Sequence, residues 1–506
     1  MKRFIAVVLS ILMVMSLSLP AFAAEEVPEY PTIYVTGAKT NNIYSAEGEK
    51  VFPKDMDEME LIKEALEPCA KKLVEGMFTG NYEAYVEEFC KYVAPMFEGA
   101  TLDANGEPSD GSHPQNHSTT VDVSDKQGDY GIWDFRFWYD WRLSPVQIAE
   151  EMRVYIDKVI ATTGKDKVQL VGRCLGANMI AAYLHYNMDH AKKYVSDVSY
   201  FASSAWGIDY MSALFSGDIV LEAEAIDNFV EYYMANGDLI EDQETKLLIL
   251  TMVEFFKQVQ VLGLTGEALV KFVDQFKGEL IPKFVRETLG SWPSYWSMVT
   301  EEKYEAARDF IYGDVKDEYA GMLAKIDKYH YEVQVNIIAD MKELDSAGVK
   351  FYNFTKYGFP EIPVYEGATT QSDTTTSVYR QSFGAFSADY GKTLDSKYIK
   401  VADPKYISPD KVIDASTCLF PERTWFVRDL HHDHFGQLEG MSMEIMRYDL
   451  TGDSEKYPRF LRNVNGTLEP ADENEGAVKG EESIFQSAIR FFTALINFIL
   501  KLLNKQ

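Results

Sequence analysis

Val168-Gln-Leu-Val-Gly172-Arg173-Cys174-Leu175-Gly176-Ala177-Asn178-Met179 runs from a β-branched, apolar segment through Gly-x-Cys-x-Gly into a helix-forming segment. Strand, tight turn and helix in that order are what a nucleophile elbow requires. Glycines two places before and two places after the central residue let the backbone turn sharply and let helix and strand approach, so the side chain between them stands exposed above the sheet. Cys174 holds that place. Near a helix N-terminus its thiolate is stabilised by unpaired N–H groups and by the helix dipole. The plainer reading, a small cysteine buried at a strand–helix turn, predicts an inert thiol.

Outward from the elbow, strand alternates with helix. Residues 31–37 read as a short buried strand entering a turn, and 147–163 as a helix with Ile148, Met152, Tyr155, Ile156 and Val159 on one face. Residues 168–172 and 195–202 are strands flanking a helix at 177–186. This alternation predicts an α/β fold, a mostly parallel sheet covered by helices on both faces. The chain is nearly all helical from 211 to 345, and strand character returns at 349–354 and 424–427. The helical block is therefore an insertion placed where a lid would sit. The predicted organisation is a signal peptide (1–23), a first core part (24–210), a helical lid (211–345), a second core part (346–450), an acidic linker (451–482) and a C-terminal amphipathic helix (483–506).

Composition narrows the partners. Against 49 Lys+Arg stand 79 Asp+Glu, a formal charge of −30 that repels phosphate backbones and argues against nucleic acid. Lys2 and Arg3, an apolar run over 4–19 and Ala21-Phe22-Ala23 predict a secretory signal cut after Ala23, hence a secreted or extracellular protein. In the last segment, Ser483, Gln486, Arg490, Thr493, Asn497 and Lys501 form one polar stripe on an otherwise apolar helix. It reads equally as an interfacial helix making peripheral membrane contact through 483–504, at the cell surface, and as a terminal helix packed on its own domain. Of the four cysteines, Cys69 and Cys90 lie in adjacent helix-like stretches and are the pair an oxidising compartment could bridge.

The elbow calls for partners. An oxyanion formed on an attacked carbonyl would be held by the backbone N–H of Leu175 and by one from the turn after the first strand, at Ala38, which Gly37 lets fold close. The base must come late in the chain. Leu430-His431-His432-Asp433-His434-Phe435 follows the last strand, and His432 is the choice, with His431 and His434 as alternatives. The orienting acid is Asp410, in Ser408-Pro-Asp-Lys-Val-Ile-Asp414, with Asp373 as the alternative. His113 and His117 sit in a polar Gly/Pro/Ser/Asn loop and read as solvated histidines. No cofactor and no metal is called for.

In this arrangement the chain resembles an α/β-hydrolase. More narrowly, Tyr139-Asp140-Trp141-Arg142-Leu143-Ser144-Pro145 resembles the Y-D-W-R segment of the lecithin:cholesterol acyltransferase family. The resemblance covers roughly 31–206 and 349–435, and it implies nucleophile, Asp and His in that order, working on lipid esters by acyl transfer or hydrolysis. Cys174 stands where that family has Ser and Arg173 where His is common; the Cys elbow is similar to those of dienelactone hydrolases and polyhydroxyalkanoate synthases. The expectation is a secreted lipase, esterase or acyltransferase acting on an acyl ester or lipid through Cys174, His432 and Asp410. The alternative is a catalytically inactive α/β-hydrolase fold serving as a surface-binding protein anchored by its C-terminal helix.

Overall fold

Runs rich in Val, Ile and aromatic residues become strands of a single large sheet in the computed structural model, which describes residues 30–54, 58–118, 134–236 and 281–472 with part of 253–278. The strands are β1 (Thr32–Val35), β2 (Asp134–Phe137), β3 (Val168–Arg173), β4 (Val195–Phe201), β5 (Lys350–Tyr357), β6 (Thr424–Arg428), β7 (Phe460–Val464) and β8 (Thr467–Pro470). They lie side by side as β2-β1-β3-β4-β5-β6-β7-β8. All pairings from β2 to β7 are parallel, and only β7 with β8 is antiparallel. Parallel neighbours need crossovers, and helices supply them.

Alternation along the strands builds two apolar layers. Ile33, Val35, Leu170, Val198 and Phe351 point into one, while Tyr34, Val171, Phe201 and Tyr352 point into the other. The helices used below are α1 (Pro145–Thr163), α2 (Leu175–Tyr186), α3 (Asp209–Ser216), α4 (Ala223–Asn236), α5 (Ile337–Ser346) and α6 (Leu438–Tyr448). The first layer is closed by Ile148 and Ile156 of α1, Ile180 of α2, Leu344 of α5, and Trp292 and Trp296 from the segment between α4 and α5. Leu438, Met441 and Ile445 of α6 close the second. The α/β expectation therefore holds.

Two boundaries differ from the sequence reading. The block at 211–345 does not act as one body: residues from 281 onward belong to the main core, whereas Ile226, Phe229, Val230 and Tyr233 of α4 form a separate cluster with Val253, Phe256 and Ile362. The supposed linker at 451–482 contains β7 and β8, which extend the sheet. They meet at a two-residue turn, Asn465-Gly466, whose φ angles are 50° and 85°. Left-handed residues in succession suit the twist of an antiparallel hairpin, and Asn-Gly is the pair that adopts them most readily. That signal was present in the sequence, masked by the acidic residues around it.

All four cysteines are free thiols. Cys69 and Cys90 lie on adjacent helices, Glu58–Thr79 and Glu83–Val93, and burial pushes each thiol up to about 11. Among the described residues no helix is long and apolar enough to cross a membrane. The expected signal peptide and the helix at 483–506 lie outside the described residues.

Candidate active site

Cys174 directly follows β3 and caps α2 with φ 46° and ψ −121°, a backbone conformation that a residue with a side chain adopts only under constraint. The constraint comes from three glycines. A Cβ on Gly176 would lie 2.2 Å from the Val35 carbonyl oxygen, and one on Gly172 would lie 2.9 Å from Ile180 Cδ1. On Gly37 it would come within 3.2 Å of Cys174 Cβ and 3.3 Å of the Arg173 oxygen. The turn after β1 is thus pressed against the elbow, with Leu175 opening α2 and Ala38 following Gly37. Gly176→Ala is expected to destabilise the protein by about 1–3 kcal/mol, because Val35 is backbone and cannot yield like a side chain. Urea unfolding measures this, and an unchanged midpoint would refute the close approach.

The Y-D-W-R segment explains itself here as a clamp on that turn. The Tyr139 hydroxyl donates to the Thr36 carbonyl at 2.6 Å, and Trp141 Nε1 donates to the Asn41 carbonyl at 2.9 Å. Asn41 Nδ2 returns a bond to the Tyr139 carbonyl at 3.1 Å. Arg142 is fully buried; Nε and Nη2 donate to the two Asp140 oxygens at 2.9 and 2.7 Å, while Nη1 reaches Ser112 Oγ at 2.8 Å. A buried guanidinium satisfied this fully fixes geometry more than it adds stability.

His432 follows β6 and meets a carboxylate, but a different one from that expected. His432 Nδ1 lies 2.8 Å from Asp373 Oδ2, and the His432 backbone N–H donates to the Asp373 carbonyl at 2.9 Å. The other Asp373 oxygen accepts the N–H groups of Thr375 and Thr376 at 3.0 and 2.8 Å. Both residues are buried. Burial works against charge on each. It is outweighed in Asp373 by His432 and Lys356, which hold the carboxyl below its usual value, and in His432 by Asp373 and Cys174, which hold the imidazole well above its usual value. His432 Nε2 is buried without a hydrogen bond of ordinary geometry, and the Cys174 thiol stands within interaction range of the ring. Such contacts commonly tighten only when substrate is bound.

The charges define a pH window. His432, raised above 6.5, contributes stability that is complete below 6.5 and is lost as pH rises through the raised value. Asp373, lowered from 3.8, contributes stability that is complete above 3.8 and is lost as pH falls through the lowered value. The loss of thermal stability in Asp373→Asn should therefore be largest between pH about 4 and 6.5 and shrink under alkaline conditions. A loss independent of pH from 4 to 10 would show that the pair is not charged.

Asp410, the expected orienting acid, meets other partners than His432. Its carboxylate accepts from Tyr357 Oη at 3.0 Å, Arg428 Nη1 at 3.3 Å and Ser408 Oγ at 2.5 Å, and so neutralises a buried guanidinium instead of orienting His432. Both aspartates precede His432 in the chain, and chain order alone did not separate them. Of the other histidines, His431 packs against Phe359 at 4.1 Å between ring centroids, with Tyr232 Oη 3.4 Å from Nε2. Burial, reinforced by His434, pushes His431 down to about 4, so it stays neutral. His117 pairs with Glu151 at 3.1 Å and His113 is exposed. No group of His, Cys, Asp or Glu among the described residues is arranged to hold a metal ion.

Sequence reasoning missed Lys356, buried directly under the histidine loop, because a lysine in a strand reads as an edge or surface residue. It also missed Tyr210, the second residue of α3, whose hydroxyl lies within electrostatic range of Cys174 and Asp373.

No protein-family model matches the chain, and no curated protein is similar to it. A solved structure described as "The crystal structure of Tle4-Tli4 complex" is 14% identical over 65% of this chain and 75% of that one, with a TM-score of 0.23.

Proposed function

We propose that this chain is an exported acyl hydrolase or acyltransferase of α/β-hydrolase type that uses Cys174, His432 and Asp373. The observation that carries the reading is the buried 2.8 Å bond between His432 and Asp373, formed at the strand ends beside a cysteine held at positive φ. Asp373 comes from the connection after β5, and His432 from the one after β6. This is the order an α/β-hydrolase presents.

The chemistry follows from the geometry. The Cys174 thiolate adds to an ester carbonyl carbon, and the Leu175 and Ala38 N–H groups receive the oxyanion. Imidazolium His432 gives its Nε2 proton to the departing alkoxide, leaving a thioester on Cys174. Neutral His432 then takes a proton from water or an acceptor alcohol as that oxygen attacks the thioester, and the returning thiolate completes the cycle. Asp373 holds the ring by Nδ1 throughout. A lipid ester is favoured as substrate by the Y-D-W-R likeness and by the apolar α4 cluster, whose Tyr232 reaches His431. In this reading α4 is the lid, while α3 is packed into the main core through Met211 and Phe215.

Alkylation tests the pair directly. Iodoacetamide at pH 7, followed at peptide resolution to separate Cys174 from the other three cysteines, is expected to label Cys174 at least about 10-fold faster than free cysteine, and His432→Ala should remove that advantage. Labelling no faster than free cysteine would favour an inactive binding protein.

A further inference from the structure

We infer that Lys356 is a positioning residue for the base: its ammonium, sealed beneath the loop after β6, binds the carbonyls of His431, His432 and His434 and thereby holds His432 between Asp373 and Cys174. The inference rests on the reading of Cys174 and His432 as nucleophile and base. Lys356 is the penultimate residue of β5 and is completely buried. Its Nζ donates to the carbonyls of His431 at 3.0 Å and His432 at 2.7 Å, and also to that of His434. An ammonium has three N–H donors, and three carbonyls take them.

The root of the side chain is equally fixed. Gln381 Oε1 accepts from the Lys356 N–H at 3.0 Å, and Gln381 Nε2 donates to the Lys356 carbonyl at 3.1 Å. On the far side, the Phe435 ring has Lys356 Nζ 3.8 Å and the Arg173 guanidinium 4.2 Å from its centroid. Arg173 immediately precedes Cys174, so the same aromatic ring ties the histidine loop to the elbow. The titratable and charged groups facing Lys356 are Asp373 on the acid loop, Asp433 on the histidine loop, and Arg173 and Cys174 at the elbow. Burial pulls the Lys356 pKa down to about 7, against the pull of Asp373 and Asp433, so the ammonium is the dominant form in mildly acid solution.

The loop needs such a device. Three carbonyls converging on a buried point without a donor would repel one another and stay unsatisfied, and the loop would turn them to water, taking His432 with them. A neutral, isosteric side chain removes the donors without emptying the space.

A double-mutant cycle at pH 6 distinguishes positioning from mere packing. The readouts are the peptide-resolved rate of Cys174 alkylation by iodoacetamide and the unfolding temperature. Lys356→Met is expected to slow Cys174 alkylation about 10-fold, to the rate of His432→Ala, and to have no further effect when added to His432→Ala. Lys356→Gln, which restores two uncharged donors, should recover part of the rate. A folded Lys356→Met that alkylates like the wild type, or that slows His432→Ala by the same factor, overturns the inference. If Lys356→Met does not fold, Lys356→Gln serves in the same cycle. Amide hydrogen exchange provides a second readout: residues 431–435 should exchange slowly in the wild type and faster in Lys356→Gln, and unchanged protection in Lys356→Gln refutes the anchoring. If His432→Ala alone alkylates at the wild-type rate, the nucleophile–base reading has failed, and the exchange result still judges Lys356.

Discussion

Cys174→Ala is expected to reduce turnover of a p-nitrophenyl ester by about 10⁴-fold or more, and His432→Ala to do about as much, because residues acting as one unit lose most of their effect when any member is removed. The double variant should be no slower than either single one. Non-additivity is the informative part: two residues with separate roles would multiply their losses. Cys174→Ser should fall between wild type and alanine, since the hydroxyl keeps an attacking atom beside His432 but gives up the easily formed thiolate. Equal turnover by wild type, Cys174→Ser and Cys174→Ala would mean that this site is not the catalyst.

Asp373→Asn and Asp410→Asn should separate cleanly, although both remove one negative charge from a buried aspartate. An asparagine at 373 keeps an oxygen for the Thr375 and Thr376 amides, which turns its NH₂ toward His432 Nδ1. That Nδ1 must then accept, so the ring proton moves to Nε2, where a lone pair is needed to act as base. Turnover is expected to fall about 10³- to 10⁴-fold with little change in substrate binding. Asp410→Asn leaves the His432–Asp373 bond untouched and weakens the hold on Arg428, so turnover should stay within about threefold while stability drops by about 1–3 kcal/mol. The reverse ranking would restore Asp410 as the orienting acid.

Much of this site was legible along the chain because its parts are local. Gly172, Cys174 and Gly176 announce the elbow within five residues, and Gly37 closes the preceding strand where a tight turn is needed. His432 could be picked from the Leu430 to Phe435 run because the last strand ends just before it. Lys356 and Asp373 were harder for one reason: their meaning depends on what lies opposite. A buried lysine in β5 makes sense only once three carbonyls from beyond residue 430 are seen above it. Asp373 and Asp410 look alike as loop acids until one is found on His432 and the other on Arg428. The β7–β8 hairpin was a different kind of miss, a turn signal at Asn465-Gly466 overridden by the charge of the residues nearby.

The residues by themselves determined the alternation of strand and helix, the strained cysteine turn and the late histidine, because each is written in contacts between near neighbours and in the conformations glycine allows. Tertiary structure decided which carboxylate serves the histidine, which part of the helical insertion joins the core, and why the Y-D-W-R segment exists at all. Those are pairings between residues far apart in the chain, set by how the long connections around β5 and β6 return to the sheet. The short-range pattern constrains where such a loop starts and ends, but packing and the need to satisfy every buried charge select the side chain that meets His432.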